Sequence, residues 1–369
     1  MLTRLLASIV KEMLSVARDP RSRQMVTFAP LAQVLVFTFA ATLEVRNVDI
    51  AVLNQDNGRW SHELVQRVQA SSFIGRLGHV ASPIELRATI ERGDTLLGLH
   101  FPADFSRAVA AGETAVVQVI VDGRRANAGQ ISMAYLGDIT RDLGLELQRV
   151  DHPELEPPVA AVRHWYNPNL EYRWFILPSL GATLSMMIAL MLTVLSIARE
   201  RELGTYDQLL VSPTTPLEIV ASKIIPALLF GFLLCCVVFL LAVWLFGIPF
   251  AGSAGMLLLG LLCFLFAVAG IGLTISSVST TQQQAMLGLF FAMVPLMLIS
   301  GFVTPVENMP QWLQYVAELS PLKHMIILIQ GAFLKGMTHA EMLDNTWPLA
   351  LIGVVSCTVA AVLVRARME

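Results

Sequence analysis

Residues 175–197 read FILPSLGATLSMMIALMLTVLSI, an apolar run without a charged side chain. A helix needs about 20 apolar residues to cross a hydrocarbon core about 30 Å thick. The run therefore predicts a membrane-spanning helix over 174–197. Five further segments have the same character or come close to it, namely 24–43, 224–247, 256–278, 285–303 and 347–364. The sequence thus predicts a bundle of six transmembrane helices.

The overall composition agrees with a membrane environment. Of the 369 residues, 55% are hydrophobic and only 14% are charged, whereas a soluble domain carries about 25% charged residues. The net charge is −3, which argues against nucleic acid as a partner. We therefore expect the lipid bilayer to be the principal partner of most of the chain.

The distribution of Lys and Arg predicts the orientation, because short cytoplasmic loops are enriched in both residues. Ten of them lie in segments that share one side of a six-span protein: Arg4, Lys11, Arg18, Arg21, Arg23, Arg199, Arg201, Lys223, Arg365 and Arg367. The short loops on the other side carry only Lys323 and Lys335. We therefore expect both termini, the loop 198–223 and the tail 365–369 in the cytoplasm.

The long polar segment 44–173 predicts an external α/β domain inserted between the first two spans. Alternating apolar residues predict strands around Val48–Val52 and Val117–Val121, and Leu96–Phe101 is a third candidate. Helices are predicted at Trp60–Ala70, Ile84–Arg92 and Ala103–Ala111, and a long amphipathic helix at Ile131–Leu147. The alternation of strands and helices favours a βαβ-type arrangement.

Two segments outside the six spans are also apolar. In the cytoplasmic segment 1–23, the residues Leu2, Leu5, Leu6, Ile9 and Met13 share one helical face, which predicts an interfacial helix along the inner leaflet. An ordinary packed amphipathic helix is the alternative. In the external loop 304–346, Pro310–Glu318 reads as a short interfacial helix. Leu322–Leu334 is too short to span and predicts a re-entrant or interfacial helix.

The sequence lacks the common motifs of ATP-binding, metal and hydrolase sites. None of the four lysines follows a glycine, so the chain has no P-loop lysine for ATP. It contains neither an HExxH nor a GxSxG motif, and its four cysteines all lie in apolar runs. We therefore expect no catalytic residue, no metal and no cofactor bound by this chain.

The loop between the second and third spans has the most distinctive pattern. It reads ARERELGTYDQLLVSP over 198–213 and continues to Lys223. A charged cluster is followed by a short predicted helix that presents Leu209 and Leu210, and Pro213 ends that helix. Thr215, Pro216 and Glu218 then match a helix-start signature. A helix–break–helix unit of this kind suits docking into a groove of another protein, and an ordinary solvated turn is the alternative.

This loop resembles the coupling segment of ABC-2 type permeases, the membrane subunits of ABC exporters. The shared pattern is R-E-R-E-x-G-T-x-x-x-L-L-x-x-P, with Lys223 ten residues further on. The resemblance extends over the chain and includes Val52–Asp56, Phe101–Phe105 and Tyr166–Pro168. The large external domain resembles that of the inner-membrane drug-export branch, whose members can work with a periplasmic adaptor protein.

The resemblance implies a function and a set of partners. The chain is expected to be an export permease of the bacterial inner membrane, and it would pair with a second permease copy or a paralogue. A separate ATP-binding subunit would hold ATP and magnesium and would act through Arg199, Glu200, Arg201, Glu202, Gly204, Thr205, Leu209, Leu210 and Pro213. The expected substrates are amphipathic drugs or lipid-like compounds. Candidate residues of the substrate path are Thr183, Ser185, Met186, Phe291 and Met293.

Two other classes of protein remain open on the sequence. A membrane receptor or scaffold with an external ligand-sensing domain should carry a long cytoplasmic output domain, which this sequence does not show. A membrane enzyme should place several polar residues at one depth in the bilayer, and no such set is evident.

Overall fold

A computed structural model describes residues 2–18, 20–40, 47–56, 58–151, 166–167, 171–206 and 215–366. The chain divides into two compact units. The helical unit contains Met1–Ala41 and His164–Glu369, and the α/β unit is Thr42–Arg163.

The described elements alternate between helices and strands only within the α/β unit. In chain order they are α1 (Leu2–Arg18), α2 (Pro20–Ala40), β1 (Val48–Asn54), α3 (Arg59–Ala70), β2 (Ile74–His79), α4 (Pro83–Arg92), β3 (Leu97–Phe101), α5 (Phe105–Ala110), β4 (Gln118–Val121), α6 (Ala126–Asp151), α7 (Arg173–Glu202), α8 (Pro216–Trp244), α9 (Ala254–Val278), α10 (Gln282–Leu298), α11 (Gln311–Ala317), α12 (Pro321–Gln330) and α13 (His339–Ala366).

Within the described part of the chain, four helices are long and apolar enough to cross a membrane: α7, α8, α9 and α13. They coincide with four of the six predicted spans. Helices α2 and α10 lie on the other two predicted spans. Helix α10 has only 17 residues, which is at the lower limit of the length that spans a bilayer. The structure therefore establishes four membrane-capable helices and leaves the count of six as a prediction.

Helix α7 lies at the centre of the helical unit. Leu177, Leu190 and Ile197 are fully buried along its length. Gly272 of α9 allows close approach, since a Cβ atom there would lie 2.0 Å from Thr193 Oγ and 3.2 Å from the Leu190 carbonyl oxygen. Small residues commonly permit such contacts between membrane helices. Gly272 therefore lets α9 pack directly against the backbone of α7.

The α/β unit is built on a four-stranded sheet with the order β2-β1-β3-β4. Strand β1 pairs in parallel with both β2 and β3, while β4 runs antiparallel to β3. Fully buried Ile50, Val52, Leu97 and Phe101 form the centre of its core. The predicted strands β1, β3 and β4 are confirmed. Strand β2 was missed because its residues, IGRLGH, contain two glycines and no regular apolar alternation.

The region before the last predicted span contains a short buried helix. Helix α12 has ten residues, too few to span a bilayer. A π-helical turn, Gly331–Lys335, follows it, and the Ala332 carbonyl oxygen accepts hydrogen bonds from Ala251 and Gly252. Helix α13 then begins at His339, eight residues before the predicted span, because Thr338 and Glu341 cap its polar first turn. A helix can extend beyond the bilayer, so the longer α13 is compatible with the predicted membrane span 347–364.

Candidate functional site

The predicted coupling residues begin at the end of α7. This helix continues beyond its apolar run through Arg199–Glu202, and Leu203 is its C-cap. Gly204 adopts a left-handed conformation with φ of +70°. The amide of Gly204 donates to the Arg201 carbonyl oxygen, and that of Thr205 donates to the Glu200 carbonyl oxygen. This Schellman-type ending fixes where the chain leaves the helix.

Four charged side chains from three helices meet beside this helix end. Lys223 of α8 contacts Glu200 of α7 at 2.8 Å and Glu12 of α1 at 2.7 Å. Lys11 of α1 contacts Glu200 at 2.9 Å and lies 3.7 Å from Glu12. We call these residues the four-charge cluster. Two positive and two negative groups give it zero net charge.

Burial makes the balance of charge in the four-charge cluster important. The Lys223 side chain is only 1% exposed and that of Glu200 11%, whereas Lys11 is 62% exposed. Burial by itself would lower the pKa of Lys11, but the hydrogen bond and the negative charge of Glu200 outweigh it and raise that pKa above its usual value. The opposite charges within hydrogen-bond distance offset the cost of burying Lys223 and Glu200, since an unpaired buried charge is strongly unfavourable.

The next two residues of α7 hold the turn between α9 and α10. The Arg201 guanidinium donates to the carbonyl oxygens of Ser277, at 2.8 Å, and Ser279, at 2.7 Å. It also lies over the ring of Tyr206, 4.8 Å from the centroid. Glu202 accepts a hydrogen bond of 2.7 Å from the amide of Gln282 at the start of α10. A carboxylate at a helix N-terminus satisfies an otherwise unbonded amide and complements the helix dipole.

The structure thus divides the predicted coupling residues into two groups. Glu200 is buried and Arg199 and Arg201 are half-buried, whereas Glu202, Gly204 and Thr205 are exposed. Leu209, Leu210 and Pro213 lie outside the described residues, as does the short helix predicted around them. The capping box predicted from Thr215 and Glu218 is confirmed at the start of α8.

Sequence reasoning missed half of the four-charge cluster. Lys11 and Glu12 lie largely off the apolar face that predicts the interfacial helix, and the sequence indicates no buried partner for either. In the structure Glu12 is half-buried and bonds Lys223, which lies 211 residues away in the chain. Two adjacent charged residues on an amphipathic helix do not indicate which distant residue they contact. Only the tertiary structure identifies this contact.

The five predicted substrate-path residues are not gathered at one surface. Ser185 and Met186 of α7 are fully buried, whereas Phe291 of α10 is 81% exposed. Thr183 donates its hydroxyl to the Ser179 carbonyl oxygen within α7, and Met293 is half-buried against the core. The role of these residues in a substrate path therefore stays a prediction.

The described residues contain no cluster of three His, Cys, Asp or Glu side chains able to hold a metal ion. The cysteines are all free and at least partly buried. The helical unit instead contains a set of contacts made by charged side chains at the end of α7. They join α7 to α1, α8, α9 and α10.

A bundle with several apolar helices of membrane length, joined by charged side chains at the end of α7, is typical of a multi-pass membrane protein. The chain belongs to the ABC-2 family of transporter proteins, whose family model matches residues 22–362. It is 40% identical over 368 residues to the probable multidrug ABC transporter permease YbhR of Escherichia coli, with all of both chains covered.

Two further relatives from Escherichia coli are more distant. The probable multidrug ABC transporter permease YbhS is 27% identical over 345 residues, which cover 93% of this chain and 91% of that protein. The inner membrane transport permease YhhJ is 27% identical over 358 residues, which cover 95% and 94%. The chain thus matches transporter permeases over essentially their whole length.

Proposed function

We propose that the chain is the membrane-spanning permease subunit of an ATP-driven ABC-2 exporter in the bacterial inner membrane. A separate ATP-binding subunit would bind ATP and magnesium, and this chain would form the substrate path. The names of the relatives support the permease role. The observation that carries the coupling is the end of α7, where Glu200, Arg201 and Glu202 connect this helix to α1, α8, α9 and α10.

These contacts suggest how movement of a partner would reach the membrane helices. A force on the segment after Gly204 acts directly on the end of α7. Since Glu200 bonds α1 and α8 while Arg201 and Glu202 bond the α9–α10 turn, those elements would move with it. Energy conversion would then be mechanical, because ATP-driven closure of the partner would favour one of two arrangements of the helices. Glu200 would link α7 to α1 and α8 inside the protein. The exposed residues that follow it would contact the ATP-binding subunit.

The proposed topology has six spans, with both termini in the cytoplasm and the α/β unit outside. Helices α2 and α10 supply the two spans beyond the four membrane-capable helices. The exposed residues Leu6, Val10 and Leu14 form an apolar stripe on α1. Such a stripe suits a helix lying in the membrane interface, while the opposite side of α1 contacts α7 and α8 through the four-charge cluster.

The proposed functional form is a dimer of two permease chains. Helix α10 exposes Leu287, Phe290, Phe291 and Val294, and it packs against α7. Two copies facing each other through α10 would enclose an apolar path that includes Phe291 and Met293. Such a path suits amphipathic drugs or lipid-like compounds, the class that we propose as substrates. The α/β unit would be the contact for a periplasmic adaptor.

The competing proposal is a receptor or scaffold in which the α/β unit senses a ligand. A receptor would not need the links between the end of α7 and the α9–α10 turn for activity. Co-purification of an ATP-binding subunit, together with ATP-dependent dye uptake into inverted vesicles or dye export from whole cells, would support the exporter. Lack of both, with an intact and inserted chain, would favour the receptor.

The topology predicts opposite labelling of two exposed positions. Single cysteines replace Thr114 in the α/β unit or Leu203 at the end of α7, in a protein whose native thiols have been removed. An impermeant maleimide applied to intact cells with a permeable outer membrane should label Thr114→Cys and spare Leu203→Cys. Both residues are exposed, so burial does not explain a difference. Labelling of Leu203→Cys from outside would contradict the topology.

The absence of a glycine–lysine pair predicts that ATP hydrolysis depends on a partner. The purified chain alone, reconstituted in lipid, should release no phosphate from ATP above an empty-vesicle control. Hydrolysis should appear when the ATP-binding subunit is added. A variant of that subunit lacking its P-loop lysine controls for contaminating enzymes. Steady turnover by the pure chain would overturn the proposed division of labour.

A further inference from the structure

The sheet of the α/β unit has two outer edges that differ in sequence. Strand β2 lies at one edge and β4 at the other. Proteins commonly protect such edges with charged side chains or irregular backbone, because unpaired amide and carbonyl groups attract another strand. Strand β2 contains two glycines and the exposed Arg76, and its register shifts where it pairs with β1. It therefore carries the usual protection.

Strand β4 has none of these features. Residues 115–121 read AVVQVIV, without charge, glycine or proline. Val119 and Val121 pack against the core that contains α3 and α6. On the other face, Ile120 packs against a cluster that contains Leu86 of α4. Apolar residues on both faces are typical of a strand inside a sheet, yet β4 lies at the edge.

The pairing with β3 determines which backbone groups of β4 are free. The Asp122 amide donates to the Leu96 carbonyl oxygen, just before β3. Hydrogen-bonded positions alternate along antiparallel strands, so Asp122 and the even-numbered residues face β3. The amides and carbonyl groups of Val117, Val119 and Val121 therefore point away from the sheet. No hydrogen bond to these groups is found among the described residues.

We propose that this edge pairs in antiparallel fashion with the same edge of a second copy of the chain, about a two-fold axis at Val119. The inference rests on the dimer and the topology proposed above, which place both α/β units on the external side. Val119 then lies opposite Val119 of the second copy, and Val117 lies opposite Val121. Each of these pairs exchanges two backbone hydrogen bonds, and the two sheets become continuous.

The edge is complementary to itself, which favours a second copy as the occupant. An antiparallel strand of identical sequence presents the same alternation of donors and acceptors, and β-branched residues directly opposite each other stabilise such pairs. The uncharged stretch 117–121 places no like charges across the axis. Most homo-oligomers are two-fold dimers in which one patch meets itself.

The shortness of β4 explains why this contact depends on the helical units. Strand β4 has four residues, and so short a strand pairs weakly between free molecules. Two α/β units held together by a dimer of helical units have an effective concentration on the order of millimolar. Pairing at β4 is therefore a second contact of the dimer that follows from the first.

Cysteine cross-linking tests the pairing in the full-length chain. The native thiols are removed, and membranes with a single new cysteine are oxidised with copper phenanthroline. Val119→Cys should give a disulfide-linked dimer, because Cα atoms of a hydrogen-bonded pair lie about 5.5 Å apart, within the roughly 4.4–6.8 Å that a disulfide bridges. His79→Cys is the matched control, an exposed position on β2, and should cross-link at least tenfold less.

A mixed pair of variants tests the register. Val117→Cys and Val121→Cys, on two differently tagged chains in the same cells, should cross-link to each other. Either variant alone should cross-link at least tenfold less, because its two copies would be separated by about 14 Å along the strands. Cross-linking of Val117→Cys alone at the level of the mixed pair would overturn the proposal.

Val119→Pro tests the outward amide. Proline is tolerated on an edge strand where its nitrogen faces away from the sheet, so the bonds between β4 and β3 should remain. The substitution should reduce the cross-link of the mixed pair at least tenfold. Undiminished cross-linking would contradict the proposal. The mixed pair itself contains no proline, so its result decides the register even where the proline variant fails to fold.

The mass of the purified chain in light scattering separates this inference from the proposed dimer. A dimer whose cysteines at positions 117, 119 and 121 all stay reduced would overturn the pairing of β4 and leave the dimer standing. A strand from an adaptor protein on this edge would give that same result. A monomer without cross-links would contradict the dimer, and the inference would fail with it.

Discussion

Lys223→Met is expected to destabilise the helical unit by about 3 kcal/mol and to stop transport. The Lys223 side chain is 1% exposed and contacts two carboxylates, Glu12 and Glu200. Methionine has a similar shape but leaves two negative charges facing Lys11 alone. Breaking a buried ion pair costs about 3–5 kcal/mol, and the lower end applies because Lys11 still neutralises one carboxylate. The thermal unfolding midpoint in detergent should fall by several degrees.

Two further variants make this result specific to the charge balance. The double variant Lys223→Met with Glu12→Gln leaves Glu200 paired with Lys11, so most of the lost stability should return. Lys335→Met is the matched control, since Lys335 pairs with Glu341 at an exposed site. Exposed pairs contribute about 0–1 kcal/mol, so this control should unfold almost like the wild type. If the double variant is less stable than Lys223→Met, charge balance is not the reason for the contact.

Arg201→Ala is expected to reduce transport at least tenfold while the ATP-binding subunit still binds. The substitution removes two charge-assisted hydrogen bonds to Ser277 and Ser279, and such bonds contribute about 1.5–3 kcal/mol each. The end of α7 would then keep the Glu202 bond to Gln282 but lose its two bonds to Ser277 and Ser279, and it would pass less of its movement to the α9–α10 turn. The measurements are dye export, ATP hydrolysis and co-purification of the complex. Hydrolysis that continues without export is the expected signature.

Residues after Arg201 should behave differently because we propose that they form the contact with the ATP-binding subunit. Leu209→Asp should weaken co-purification of the ATP-binding subunit as well as transport, since an apolar anchor dominates many interfaces. Glu202→Ala should reduce both to a smaller extent, because it also removes the cap on α10. Arg23→Gln, an exposed cation on the same proposed side, should have no effect. Normal transport and normal yield of partner in all of these variants would leave the loop without a coupling role.

The α/β unit shows where local patterns suffice and where they fail. Strands β1, β3 and β4 could be predicted because alternation of apolar residues along a strand reports which face is buried. Strand β2 could not, because four of its six residues are exposed and pairing with β1 determines its conformation. The order β2-β1-β3-β4 also depends on crossovers between residues that are distant in sequence.

The sequence by itself determined that this is a membrane protein of the ABC-2 family. Apolar runs of membrane length are local features, because a helix in lipid satisfies its own backbone and needs only apolar side chains. The family pattern at Arg199–Pro213 is also contiguous, so the candidate coupling segment was found without a structure. The start of α8 was predictable for the same reason, since a capping box involves residues only three positions apart.

Only the tertiary structure decided what the charged residues of that segment contact. Glu200 bonds Lys11 across 189 residues, and Lys223 bonds Glu12 across 211. No periodicity relates such positions, and each charge alone is equally compatible with solvent. Burial selects the pairing, because charges removed from water must be neutralised by neighbours that the fold brings within hydrogen-bond distance. The free edge of β4 also depends on the fold, since the order of the strands in the sheet differs from their order in the chain.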